Sequence, residues 1–177
     1  MDDSRKNRIE IILQSITTLH TDAIVNAANE GLLAGGGVCG AIFSAAGYND
    51  LQAACNKIGH CDTGKAVITD GFKLPAKYII HTAGPIWHGG NQREEELLYS
   101  CYHETMKLAQ AYNIHRIAFS LISAGIYGVP AAVAWKMAIQ SVSDYQKEHP
   151  ETDIDVIFAV LDENVLEQGQ KYLHELL

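Results

Sequence analysis

Two stretches of small residues leave their backbone amides open to a ligand. The first runs Asn26-Ala27-Ala28-Asn29 and continues to Gly35-Gly36-Gly37-Val38-Cys39-Gly40. The second is Ser120-Leu121-Ile122-Ser123-Ala124-Gly125-Ile126-Tyr127-Gly128-Val129-Pro130. Successive glycines let the main chain come close to a ligand. A glycine turn entering a helix aims several N–H groups at one point, which suits a phosphate. Either loop alone reads equally as a flexible connection; both on one sheet edge predict a clamp for a diphosphate. The Asn29 amide both donates and accepts, and so suits ribose hydroxyls, whereas Asn26 reads as a turn cap. Tyr127, flanked by glycine-bearing segments, is read as packing on a sugar or as covering the core edge. A third short stretch, His81-Thr82-Ala83-Gly84-Pro85, puts a histidine at a strand end. A structural role there is favoured over a general base. Trp87 and His88 follow without an assigned role.

These residues need elements to hold them. Apolar, β-branched runs predict strands over residues 8–13, 23–26, 65–69, 77–82, 116–120 and 155–161. Spacing of i, i+3, i+4 predicts helices over 92–112, 130–147 and 162–177, and the run 41–46 reads as the start of another. Strands separated by helices imply a largely parallel sheet covered on both faces, with ligands beyond the carboxyl ends of the strands. The three loops lie at such ends.

A chain of 177 residues suits one domain, and 47% hydrophobic with 19% charged residues argues for a sizeable core. Residues 1–8 are polar and read as a flexible N-terminus before a single domain over 9–177. No apolar run reaches the ~20 residues needed to span a bilayer. Net charge is −8 and the 13 Lys and Arg are scattered, so extended nucleic-acid binding is not expected. An anionic ligand would have to be held mainly by backbone amides. Cys39, Cys55, Cys61 and Cys101 form no CxxC pair, which points to reduced thiols and a cytoplasmic setting. His60, Cys61, His81 and His103 match no common zinc spacing, so no metal or cofactor is expected.

The three loops, in this order, resemble those of macrodomains of the type found in bacterial and mitochondrial ADP-ribosyl hydrolases. The similar stretches are Asp22 to Asn29, Gly35-Gly36-Gly37-Val38, Gly40-Ala41-Ile42, His81 to Pro85 and Gly125 to Pro130. The resemblance implies an α/β fold: a three-layer α/β/α sandwich with a mixed, mostly parallel central sheet. It implies that Asn29 positions the distal ribose of ADP-ribose, and that Gly35, Gly36, Gly37 and Val38 wrap that ribose and a phosphate. It places Ser123, Ala124, Gly125, Ile126 and Tyr127 on the diphosphate, and Ile16 at the adenine. Four positions depart from the family pattern. Cys39 replaces the usual Asp associated with hydrolysis, and Phe43 the usual nearby His. Ser15 replaces an adenine-binding Asp, and Leu161 an aromatic that covers adenine. Losing charge assistance at Ser15 is worth on the order of 1 kcal/mol.

Two functions follow. One is hydrolysis of ADP-ribosylated protein or of O-acetyl-ADP-ribose, with Asn29, Cys39 and Tyr127 as the residues engaged. A thiol of ordinary pKa near ~8.5 is a poor general base, although a helix start would favour its thiolate; the bland role for Cys39 is a small apolar filler. Some viral macrodomains resemble this loop, carry a small residue at the position and still hydrolyse, a substrate phosphate being thought to help activate water. The other function is a silent reader of ADP-ribose. A third, a dinucleotide-dependent oxidoreductase, fits poorly, because no GxGxxG follows a first strand with an acidic residue ~20 positions on.

Overall fold

The apolar runs pair as one sheet. In the computed structural model, which describes residues 8–177, the strands are β1 (Ile9–Leu13), β2 (Ala23–Ala28), β3 (Ala66–Asp70), β4 (Tyr78–Ala83), β5 (Arg116–Phe119) and β6 (Asp155–Val160). Their order is β1-β6-β5-β2-β4-β3. Every neighbouring pair is parallel except β3 with β4, so the sheet is mixed and mostly parallel. β2, β4, β5 and β6 are buried nearly throughout because helices cover both faces.

The two faces carry separate cores. α1 (Gly37–Ala46) and α2 (Tyr48–Ile58) cover one with Ile42, Phe43, Leu51 and Cys55. α3 (Glu94–Ala111), α4 (Ala131–Glu148) and α5 (Glu163–Leu176) cover the other around Tyr102, Trp135 and Phe158. This is the three-layer α/β/α sandwich that the loops imply. Among the described residues, no helix is long and apolar enough to cross a membrane. All four cysteines are buried and free.

Several expectations need correction. Arg8 is anchored: its guanidinium pairs with Asp153 and Asp155, and its carbonyl accepts the Val156 amide at 2.9 Å. Residues 1–7 of the expected flexible terminus lie outside the described residues. The helix foreseen from residue 41 begins at Gly37, inside the glycine run. α2 was not foreseen from the sequence. It buries only Leu51 and Cys55, a stripe too narrow to stand out from its polar residues. Asn26 is not a turn cap. It lies within β2, 1% exposed, and its Nδ2 donates to His81 Nδ1 at 3.0 Å.

Candidate functional site

The sheet order sets the location. Beyond β5 the chain crosses to β6, while β2 leads towards β4. The carboxyl ends of β2, β5 and β6 therefore open into a crevice at this switch in strand order. The crevice holds about 550 Å³. It brings together Asn29, Gly35, Gly36, Gly37, Val38 and Cys39 of the first loop. It also brings together Ser123, Ala124, Gly125, Ile126 and Tyr127 of the second, with Leu161 after β6. Ser15 and Ile16 stand apart from its wall. Ser15 Oγ lies 2.9 Å from Thr17 Oγ1, and Ile16 is buried against the α1 side of the sheet.

Backbone donors dominate the crevice. The amides of Gly35 and Gly36, and of Gly37, Val38 and Cys39 in the first turn of α1, donate to no acceptor among the described residues. The same holds for Ser123, Gly125, Ile126 and Tyr127. Among the described residues, no Lys, Arg or His lines the wall. Two amide-bearing turns thus face one cavity, an arrangement suited to a diphosphate through oriented N–H groups and the positive end of a helix.

Local packing fixes both turns. Gln52 of α2 holds the first: its Oε1 accepts from Ala34 N at 3.0 Å and its Nε2 donates to Leu32 O at 3.1 Å. A Cβ on Gly40 would stand 2.5 Å from the Gly35 carbonyl oxygen, so only glycine lets the loop fold over the helix there. In the second turn, Ile122 N donates to the buried Tyr102 hydroxyl at 3.0 Å, and Val129 N donates to Ser123 O at 2.9 Å. Ser123 has φ 65°, a left-handed conformation uncommon for a residue with a side chain. Its Oγ occupies the space beside Gly84, where a Cβ would meet it at 2.2 Å. Gly84 lines the crevice and was not singled out as a site residue.

Asn29 is half-buried. Its Nδ2 donates to Leu33 O at 2.8 Å and its Oδ1 accepts from Leu33 N at 3.0 Å. Cys39 is 8% exposed, and its Sγ points to Leu33 O at 3.8 Å. Phe43 is a core residue, 1% exposed. Tyr127 is half-buried, and its carbonyl accepts the Trp87 amide at 2.8 Å, which ties the second turn to the loop after β4. Asp162 also lines the crevice, but its carboxylate caps α5 by accepting from Asn164 N and Val165 N.

His81 is structural. It is fully buried; Nδ1 accepts from Asn26, and Nε2–H donates to Thr69 Oγ1 at 2.9 Å. Burial pushes its pKa down to about 4, so it stays neutral at pH 7.

A second cavity, of about 450 Å³, shares the walls Asn29, Gly84 and Tyr127 with the first. His88 and Glu94 face it. Glu94 is buried at the start of α3, and its carboxylate accepts from the amides of His88, Gly90 and Gln92. Burial by itself would raise its pKa, but those amides outweigh that and hold it below the usual range. The three glutamates Glu94, Glu95 and Glu96 in the first turn of α3 are the sequence signal that would have flagged this clasp. Among the described residues, the groups near enough to share a metal are Glu30, His60 and Asp62, all exposed.

Comparison with known proteins agrees with this geometry. The Macro domain family model matches residues 25–138. A macro domain-containing protein of Chlorobaculum tepidum is 49% identical over 166 residues, covering 93% of this chain and 95% of that protein. A protein of Escherichia fergusonii named O-acetyl-ADP-ribose deacetylase is 48% identical over 148 residues, covering 81% of this chain and 83% of its own. A variant of the Oceanobacillus iheyensis macrodomain, solved with ADPR, superposes with a TM-score of 0.87 at 37% identity, covering 95% of this chain and 92% of that one. With these matches and a crevice walled by both loops, the chain belongs to the macro domain family.

Proposed function

We propose that this chain binds ADP-ribose in the crevice and slowly hydrolyses the bond between its distal ribose and an attached group. The single observation that carries the reading is the pair of amide-bearing turns facing one cavity that, among the described residues, no cationic side chain lines. The diphosphate lies between the turns, the distal ribose against Asn29 and Tyr127, and the adenosine towards Leu161. The relatives named above support the choice of ligand and of a deacetylase or de-ADP-ribosylase chemistry.

The attached group, an acidic protein side chain or an acetyl ester, projects into the second cavity through the shared wall. For a carboxyl-linked substrate, water attacks the anomeric carbon, the carbon–oxygen bond to the carboxyl group breaks, and the carboxylate leaves. The water's proton passes to a phosphate oxygen of the substrate. For O-acetyl-ADP-ribose, water attacks the acyl carbon instead, releasing acetate and the ribose hydroxyl. Positioning by Asn29 and the glycine turn supplies the rate enhancement. Among the described residues, the carboxylate on the crevice wall is that of Asp162, whose Oδ1 caps α5. We assign the protein to the cytoplasm, which its four free thiols fit.

The buried thiol of Cys39, turned to Leu33 O, favours the alternative of a silent reader. Single-turnover release from an Asp- or Glu-linked mono-ADP-ribosylated protein, and from O-acetyl-ADP-ribose, separates the two. The hydrolase reading expects slow release above background, about tenfold faster in Cys39→Asp and within about twofold of wild type in Cys39→Ala. No release at high enzyme leaves the reader alone. Collapse in Cys39→Ala would make the thiol a participant.

A further inference from the structure

An inventory of the crevice side chains leaves two buried hydroxyls unassigned. Asn29 is bonded to Leu33 at both ends of its amide. Asp162 caps α5, and the Cys39 sulfur faces Leu33 O. The remaining polar side chains on the wall are Ser120, Ser123 and Tyr127. Ser120 is 5% exposed and Ser123 7%, and neither hydroxyl has a hydrogen-bond partner. Buried hydroxyls are nearly always paired, so two orphans on one cavity wall mark a place completed by something that enters it.

Ser123 belongs to the turn already assigned to the diphosphate. Ser120 does not. It is the first residue past β5, below the turn, where a strand-end serine reads in sequence as the last step of the strand. β5 pairs with β2 up to Phe119 opposite Val25. Continued one step, that register would set Ser120 opposite Asn26, whose Oδ1 is likewise without a partner among the described residues. Asn26 Oδ1 only accepts, and Nδ2 of the same amide is held by His81. A hydroxyl beside it can donate up into the crevice or sideways to the asparagine.

We infer that Ser120 is a ligand-binding residue whose hydroxyl donates to an oxygen of the diphosphate, beside the amides of the second turn. This rests on the reading that the crevice takes ADP-ribose. It follows from charge and position together. With no Lys, Arg or His on the wall among the described residues, the two negative charges fall to uncharged donors there. Ser120 lies at the carboxyl end of β5, under the turn that carries the open amides of Ser123, Gly125, Ile126 and Tyr127.

The test is calorimetric titration of wild type, Ser120→Ala and Ser120→Thr with ADP-ribose and with ADP, together with the thermal midpoint of each unliganded protein. Wild-type binding of ADP-ribose first establishes the parent reading; its failure would remove that reading whatever the variants do. Given wild-type binding, Ser120→Ala is expected to weaken both ligands about tenfold, with an unchanged or higher midpoint, because the free protein loses an unpaired buried hydroxyl. Ser120→Thr should keep most of the affinity. Equal affinity in Ser120→Ala overturns the inference. So does a lowered midpoint with an affinity loss that threonine fails to restore, since the hydroxyl would then serve Asn26 and the fold.

Discussion

At the scale of single residues, the free protein keeps its functional groups partly engaged with one another. Asn29 is the clearest case. The amide that the family resemblance assigns to the distal ribose is bonded to Leu33 in both directions. It therefore also holds the entry to the glycine run. Asn29→Ala should cut ADP-ribose affinity by about tenfold or more, and should lower stability by about 1–2 kcal/mol through the two lost turn bonds. Calorimetry and thermal melts check both. An unchanged affinity with lowered stability would make Asn29 a turn residue only. Cys39 shows why a resemblance must be carried residue by residue. Its side chain brings a thiol among apolar neighbours, where the resemblance implies a carboxylate.

At the scale of elements, a polar belt crosses three adjacent strands. Thr69 of β3, His81 of β4 and Asn26 of β2 are linked in series, all buried. The belt depends on a neutral imidazole. With the His81 pKa at about 4, against 6.5 for a free histidine, stability is fully present above pH 6.5 and falls as pH drops towards 4. The difference amounts to roughly 3 kcal/mol between those limits. A His81→Gln variant should be less stable at pH 7 yet lose less between pH 7 and pH 4.5, as denaturant melts at both values would read. A parallel loss in the two proteins would assign the acid sensitivity to other groups. How far such elements were legible in the sequence varied with their physics. The strands announced themselves because burial on both faces demands continuous apolar runs. The amide turns did so because only small residues leave a main chain open. α2 was hidden by its narrow buried stripe, although Gly47 and Gly59, with φ of 105° and 86°, bracket it as stop signals. The linked roles of Asn26 and His81 were hidden because pairing across strands depends on register, which neither residue states alone. Ser120 and Gly84 were missed for the same reason: each acquires its place from a neighbour distant in sequence.

At the scale of the whole molecule, β1 against β6 joins the two ends of the chain, and Arg8 reinforces the joint from just before β1. We take residues 9–177 to fold as one unit on that basis, with Arg8 tied to it. The same scale governs how a ligand arrives. The chain carries a net charge of −8, and among the described residues the crevice has no lysine, arginine or histidine on its wall. On the proposed function, a doubly negative nucleotide sugar is repelled on approach and held only once amides and phosphate oxygens are in contact. Raising ionic strength from ~0.01 M to ~0.15 M shortens the screening length from ~30 Å to ~8 Å, so stopped-flow association should quicken with added salt. A slowing would mean that cationic side chains elsewhere on the surface guide the encounter. Recognition of this kind selects by fit at short range. It leaves other polyanions, however abundant, with little reason to linger.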